Sequence, residues 1–139
     1  NNDHLLIVNS DQYIEWNSCD FMSSMIHNNY DAGILTFEDN NPKWSYARNN
    51  SNGFVDLVAE KEPISNEATV GIYYWKYGKD YVSFAEQMIY KNIRVKNEFY
   101  VCPVFNEAIA ANKKIKTFRA NKMWGLGTPE DLEYFLSHH

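Results

Sequence analysis

Short apolar runs alternate along the chain with stretches in which apolar residues recur every three or four positions. The first pattern belongs to strands and the second to helices with one buried face. Residues 5–8 are continuously apolar, as in a strand covered on both faces. A polar turn at Asn9, Ser10, Asp11 and Gln12 follows, and Asn17 or Ser18 then caps a helix whose buried stripe is Phe21, Met22, Met25 and Ile26. Residues 31–37 read as a second strand. Residues 44–48 and 53–59 pair as a hairpin, because Asn49, Asn50, Ser51, Asn52 and Gly53 between them accept the positive φ of tight turns.

The longest predicted strand, residues 68–77, is dense in β-branched and aromatic side chains. Gly78 breaks it, and Asp80 caps a helix that carries Phe84, Ala85, Met88 and Ile89 on one face and ends near Asn92. Residues 97–101 form an edge-like segment before Pro103, residues 104–111 a helix with Phe105, Ala108 and Ile109 inward, and residues 115–119 a last short strand. Thr128, Pro129 and Asp131 open the final helix with a capping hydroxyl, a proline at the first helical position and a carboxylate near the third. The alternation predicts an α/β class of three layers, with a mixed, mainly parallel sheet and an inserted β-hairpin.

No repeat, low-complexity tract or long linker interrupts this order, so residues 1–137 read as a single α/β domain. His138 and His139 read as the stub of a purification tag. The chain opens without an initiator methionine and enters a buried strand almost at once, the pattern of a polypeptide cut from a larger one. With 139 residues, 45% hydrophobic and 16% aromatic, it is long enough to bury about two-thirds of its unfolded surface.

Net charge is −5 and the basic residues are scattered, which excludes the electrostatic footprint of a polymeric nucleic-acid partner. Cys19 and Cys102 lie far apart, with no cysteine or histidine beside them at metal-ligand spacing, as expected in a reducing cytoplasm. No apolar run approaches the roughly 20 residues of a membrane span, and no signal peptide opens the chain.

In sheets of this class ligands sit at the carboxyl ends of strands, which directs attention to the turn after Val8 and to residues 60–66. Asp11, just past a strand end, is either a ligand for Mg2+ or a turn residue bonding its own backbone. Lys61 can give a point charge to a phosphate dianion and Glu60 can accept hydrogen bonds from hydroxyls, or the pair belongs to a solvated charge run. Trp44 and Tyr46 share a strand face, one filling the core and the other bordering a pocket. Glu98 is a hydroxyl acceptor or a structural surface residue. His4 and His27 stand in no motif.

Three stretches, taken in order, resemble the downstream half of the sugar-phosphate nucleotidyltransferases: Glu60, Lys61 and Pro63; Ala68 through Tyr73 with Gly71 between; and Trp124, Gly127 and Thr128. The resemblance runs from Asn9 to Leu136, with Glu62 as one extra residue before the proline. It implies a partial nucleotide-diphospho-sugar transferase fold. The implied activity transfers a nucleoside monophosphate from a nucleoside triphosphate to a sugar phosphate or similar small phosphorylated acceptor, with release of diphosphate, and Mg2+ as cofactor.

By the same resemblance Asp11 holds the metal, Lys61 meets the acceptor phosphate, and Glu60, Tyr46, Asn66, Thr69, Gly71 and Glu98 surround the acceptor body. Gly125 stands where many relatives carry a second metal-binding aspartate, and the sequence has no Gly-x-Gly-x-x-Gly loop for the triphosphate. The chain is therefore expected to hold the acceptor side of the chemistry and to be inactive alone. The alternative is a non-catalytic phosphosugar-binding module or degenerate relative. The base, the acceptor and any homo-oligomer are open at this level.

Overall fold

The computed structural model describes residues 3–8, 12–93, 100–120, 122–125 and 129–138. In chain order the elements are β1 (Leu5–Val8), β2 (Gln12–Glu15), α1 (Ser18–His27), β3 (Ala32–Glu38), β4 (Ser45–Asn49), β5 (Val55–Glu60), β6 (Glu67–Trp75), α2 (Gly78–Tyr90), α3 (Val104–Ala110), β7 (Ile115–Arg119), β8 (Lys122–Gly125) and α4 (Pro129–His138). Six strands form one mixed sheet in the order β5, β4, β6, β3, β7, with β1 also paired to β6. β2 and β8 make a separate antiparallel pair.

The sheet is mostly antiparallel, which corrects the expectation of a mainly parallel one. Among the described residues only β3 and β7 run parallel. Between β3 and β6 the chain makes only the β4–β5 hairpin, and a connection without a crossover helix returns the strand antiparallel. Only the long passage through α2 and α3 brings β7 round beside β3 in the same direction.

β1 is also not the doubly covered strand its apolar run predicts. It pairs with β6 alone among the described residues, and its residues alternate, with Leu6 41% and Val8 54% exposed. The expected segment at residues 97–101 lies largely outside the described residues, while Val101 sits in a turn. The polar turn predicted at residues 9–12 gives way at Gln12 to β2, which pairs antiparallel with β8.

Two cores lie on opposite faces of the sheet. On one, Ile34, Tyr73, Trp75 and Ile115 meet Phe84 and Met88 of α2 and Phe105 and Ala108 of α3. On the other, Leu35, Ile72 and Tyr74 meet Phe21 and Met25 of α1. Consecutive residues of β6 point alternately into the two cores, as the pleat requires. Gly33 is needed for α1 to approach: a Cβ there would lie 2.4 Å from the Met25 sulfur.

Local chemistry sets the element ends. Asn17 caps α1, its Oδ1 accepting from the Asp20 amide at 3.0 Å. The hairpin turn is held by Asn50, whose Oδ1 accepts from Asn52 and Phe54, with Gly53 at φ 83°. Asp80 does not cap α2. The helix starts two residues earlier, with Tyr77 at the cap position, and Asp80 sits in the first turn, where its carboxylate meets the positive end of the helix dipole.

The outer edge of β5 is closed by α3. The Asn106 amide accepts from the Val58 N–H at 2.9 Å and donates to the Val58 carbonyl at 2.7 Å, replacing the strand that would otherwise pair there. Beside it, buried Glu107 receives the Lys91 ammonium at 2.6 Å and so fastens the end of α2 to α3. Replacing Lys91 with methionine strands a buried carboxylate and is expected to cost about 2 kcal/mol in urea unfolding, at the low end because Lys91 is half exposed. No helix among the described residues is long and apolar enough to cross a membrane.

Candidate functional site

A cleft of about 350 Å3 opens where the start of β4, the end of β5 and the middle of β6 meet the turn before α3. Its rim carries Lys43, Trp44, Lys61 and Tyr100, and its floor Ser45, Thr69, Tyr73 and Cys102. Glu60 and Gly71 line it as well. Of the residues singled out in the sequence, Glu60, Lys61, Thr69 and Gly71 therefore share one cavity.

Two backbone irregularities build it. Between the pairs Ile34–Tyr73 and Thr36–Thr69, β3 advances two residues and β6 four, so β6 bulges by two. Gly71 lies in that bulge at φ 83°, a conformation open to glycine at little cost. The bulge sets Thr69 and Tyr73 side by side, their hydroxyls 3.1 Å apart. An alanine at position 71 would adopt the left-handed region at a cost of about 1–2 kcal/mol, so Gly71→Ala is expected to lower the thermal midpoint and to narrow the cleft.

The second irregularity is Lys61, in the left-handed region at φ 58°. Its N–H donates to the Trp44 carbonyl at 3.0 Å, continuing the β4–β5 ladder one step beyond the Ser45–Glu60 pair. The chain then turns away, and the Lys61 ammonium rests 5.7 Å from the centre of the Tyr100 ring. Lys43 sits in the same way over Trp44, at 4.7 Å. Trp44 is itself fixed, its indole N–H donating to Asp39 at 2.8 Å and its ring meeting Phe37 edge-on.

The floor is polar and buried. The Ser45 hydroxyl donates to the Glu60 carboxylate. Burial pushes the Cys102 thiol far above its ordinary value of 9.0, and the Glu60 charge adds to the rise. Burial does the same to Tyr73, with Cys102 the second contributor. Both groups keep their protons at neutral pH, and Cys102 is no nucleophile.

Because these groups hold protons more tightly folded than unfolded, their contribution to stability is complete below the unfolded values and is lost as pH rises past them. Cys102→Ala is expected to flatten the loss of stability between about pH 9 and 10, read from urea unfolding across that range.

The other sequence candidates lie elsewhere. Tyr46 is fully buried and does not line the cleft; its hydroxyl donates to the Asn41 carbonyl at 2.7 Å. Of the two aromatics, Trp44 borders the pocket and Tyr46 fills the core. Asn66 is exposed beside Glu38, Asp39 and Asn40, and its carbonyl accepts from the Asp39 amide. Asp11 and Glu98 lie outside the described residues.

Sequence reasoning missed Ser45, Tyr73 and Cys102. The usable signal was spacing: Tyr73 follows Thr69 and Gly71 at intervals of two, and Ser45 is the rung opposite Glu60. Among the described residues no group of three or more His, Cys, Asp or Glu is placed to hold a metal ion.

No family model and no curated protein matches the sequence. Solved structures do. A nucleoside-diphosphate-sugar pyrophosphorylase from Vibrio cholerae RC9 superposes with a TM-score of 0.78 at 21% identity, over 97% of this chain and 56% of that one. A protein from Bacillus anthracis assigned as a glucose-1-phosphate thymidylyltransferase, in complex with a sucrose, superposes with a TM-score of 0.71 at 18% identity, over 96% of this chain and 53% of that one. The chain therefore shares the fold of these two structures and spans a little over half of their length.

Proposed function

We propose that the cleft is the acceptor site of a sugar-phosphate nucleotidyltransferase, with Lys61 meeting the phosphate of a small phosphorylated acceptor and Glu60 its body. The observation that carries this reading is the convergence of Glu60, Lys61, Thr69 and Gly71 in one cavity. The fold likeness to a pyrophosphorylase and an assigned thymidylyltransferase supports it.

In the proposed reaction an oxygen of the acceptor phosphate attacks the α-phosphorus of a nucleoside triphosphate in line. The bond from that phosphorus to its bridging oxygen breaks, and diphosphate leaves with the electron pair. The protein's task is positioning and charge neutralisation. Lys61 fixes the nucleophilic phosphate, and the bulge at Gly71 shapes the cleft floor, at Thr69 and Tyr73, against which the acceptor body would rest. Of a metal set, only Asp11 is a proposed ligand here; an Mg2+ ion held there would neutralise triphosphate charge. The reading places the protein in the cytoplasm, in nucleotide-sugar synthesis of the kind that supplies polysaccharides.

A binding-only role is the second reading. It is favoured by Gly125, which stands where the family resemblance puts a metal-binding aspartate. Diphosphate release, measured with each of the four nucleoside triphosphates against a panel of phosphorylated sugars and amino alcohols, separates the two. It is run on this chain and on the product of its full reading frame. Turnover by the latter supports the transferase; tight acceptor binding with no turnover in either supports the binding module.

A further inference from the structure

The charge layout of the cleft narrows the acceptor. The ammonium groups of Lys43 and Lys61 sit at the rim, each on an aromatic ring. The carboxylate of Glu60 adjoins the buried floor, where its charge reaches both Cys102 and Tyr73. Among the described residues the ion pairs are Arg48–Asp56, Lys91–Glu107, Lys113–Asp80 and Arg119–Glu67, and Glu60 belongs to none of them. Among the described residues the Ser45 hydroxyl is the donor to it, which occupies one of about four acceptor positions on a carboxylate.

A half-buried carboxylate lining a cleft loses water when a ligand enters, and that loss is costly unless the ligand brings a donor, most of all a charged one. A neutral polyol supplies hydroxyl donors but leaves the charge unbalanced. A cationic group supplies both a donor and the balancing charge. At about 350 Å3 the cavity is near the lower end for ligand pockets, which limits the body to a single sugar ring or a short chain.

Building on the acceptor-site reading above, we propose that the acceptor is a phosphomonoester whose body carries a protonated amine or quaternary ammonium. Its phosphate lies on Lys61 and Lys43 at the rim and its cation on Glu60 inside, so that the ligand's charge separation is the reverse of the cleft's. This layout favours amino sugar phosphates and phosphorylated amino alcohols over their neutral counterparts.

Isothermal titration of the chain with two matched pairs tests this: ethanolamine phosphate against ethyl phosphate, and glucosamine 1-phosphate against glucose 1-phosphate. The amine member of each pair is expected to bind about tenfold or more tighter. Glu60→Gln, which keeps the size and the Ser45 hydrogen bond, should erase that advantage, with Glu60→Ala as a second variant if the first does not fold. Lys61→Met should weaken both members of a pair by the same factor.

Equal affinity within both pairs, or an amine advantage that survives loss of the carboxylate, overturns the ammonium proposal while leaving the acceptor site standing. If none of the four ligands binds, or if Lys61→Met changes nothing, the acceptor-site reading falls and takes this proposal with it.

Discussion

Replacing Lys61 with methionine is expected to weaken phosphomonoester binding by about a hundredfold while leaving the fold unchanged. A hydrogen bond to a charged group contributes about 1.5–3 kcal/mol, and in a half-enclosed cleft the upper end applies. Methionine keeps the aliphatic stem of lysine and meets the same left-handed backbone at φ 58° at the same cost, so the substitution isolates the charge. Lys61→Gly would remove charge and strain together and confuse the two. Titration calorimetry reads the loss, and a parallel urea curve with an unchanged midpoint shows that the cleft still folds.

The largest stability effect is expected at Trp75. It is almost fully buried, stacks on Phe105 with ring centres 4.6 Å apart, and touches Tyr81 and Phe84. It thus ties β6 to both α2 and α3. Trp75→Ala should cost about 3–5 kcal/mol, a large share of the stability of a domain this size. Its indole N–H is buried without a partner among the described residues, so packing holds the side chain and hydrogen bonding does not. Trp75→Phe, which keeps the stacking and removes the orphaned donor, should cost far less. The alanine variant should also impair ligand binding beyond its effect on folding, because α3 follows directly from the Tyr100–Cys102 wall of the cleft.

Much of the architecture was legible because local chemistry and tertiary packing agree. Asn17 as a cap, the Asn50–Gly53 turn and the aromatic density of β6 each specify one local structure, and the fold uses all three. Strand direction was not legible. Alternating strands and helices imply parallel pairing only when a helix lies between neighbouring strands, and the β4–β5 hairpin broke that premise between β3 and β6. β1 misled for a related reason: a run of apolar residues reports hydrophobicity and not how many neighbours a strand has, and Leu6 and Val8 are exposed.

For the site, residues close in sequence were easy to group. Glu60 and Lys61 are adjacent, and Thr69 and Gly71 share one face of β6. The floor was not, because it depends on register: Ser45 reaches Glu60 across the hairpin, and Cys102 arrives from beyond α2. Tyr46 shows the limit of reasoning from faces. Its strand position is compatible with a pocket, and its hydroxyl is instead committed to the Asn41 carbonyl within the core.

The account stands on the cleft between β4, β5 and β6 being a phosphomonoester site. Amide chemical-shift mapping of the isotope-labelled chain, titrated with glucosamine 1-phosphate to about 1 mM, tests this most directly. The account predicts shifts concentrated at Lys61, Thr69, Gly71 and Cys102, saturating together, with the outer groove of α2 at Ser83, Gln87 and Lys91 unmoved. Shifts confined to that helix groove, or none in the cleft at saturating ligand, would contradict it.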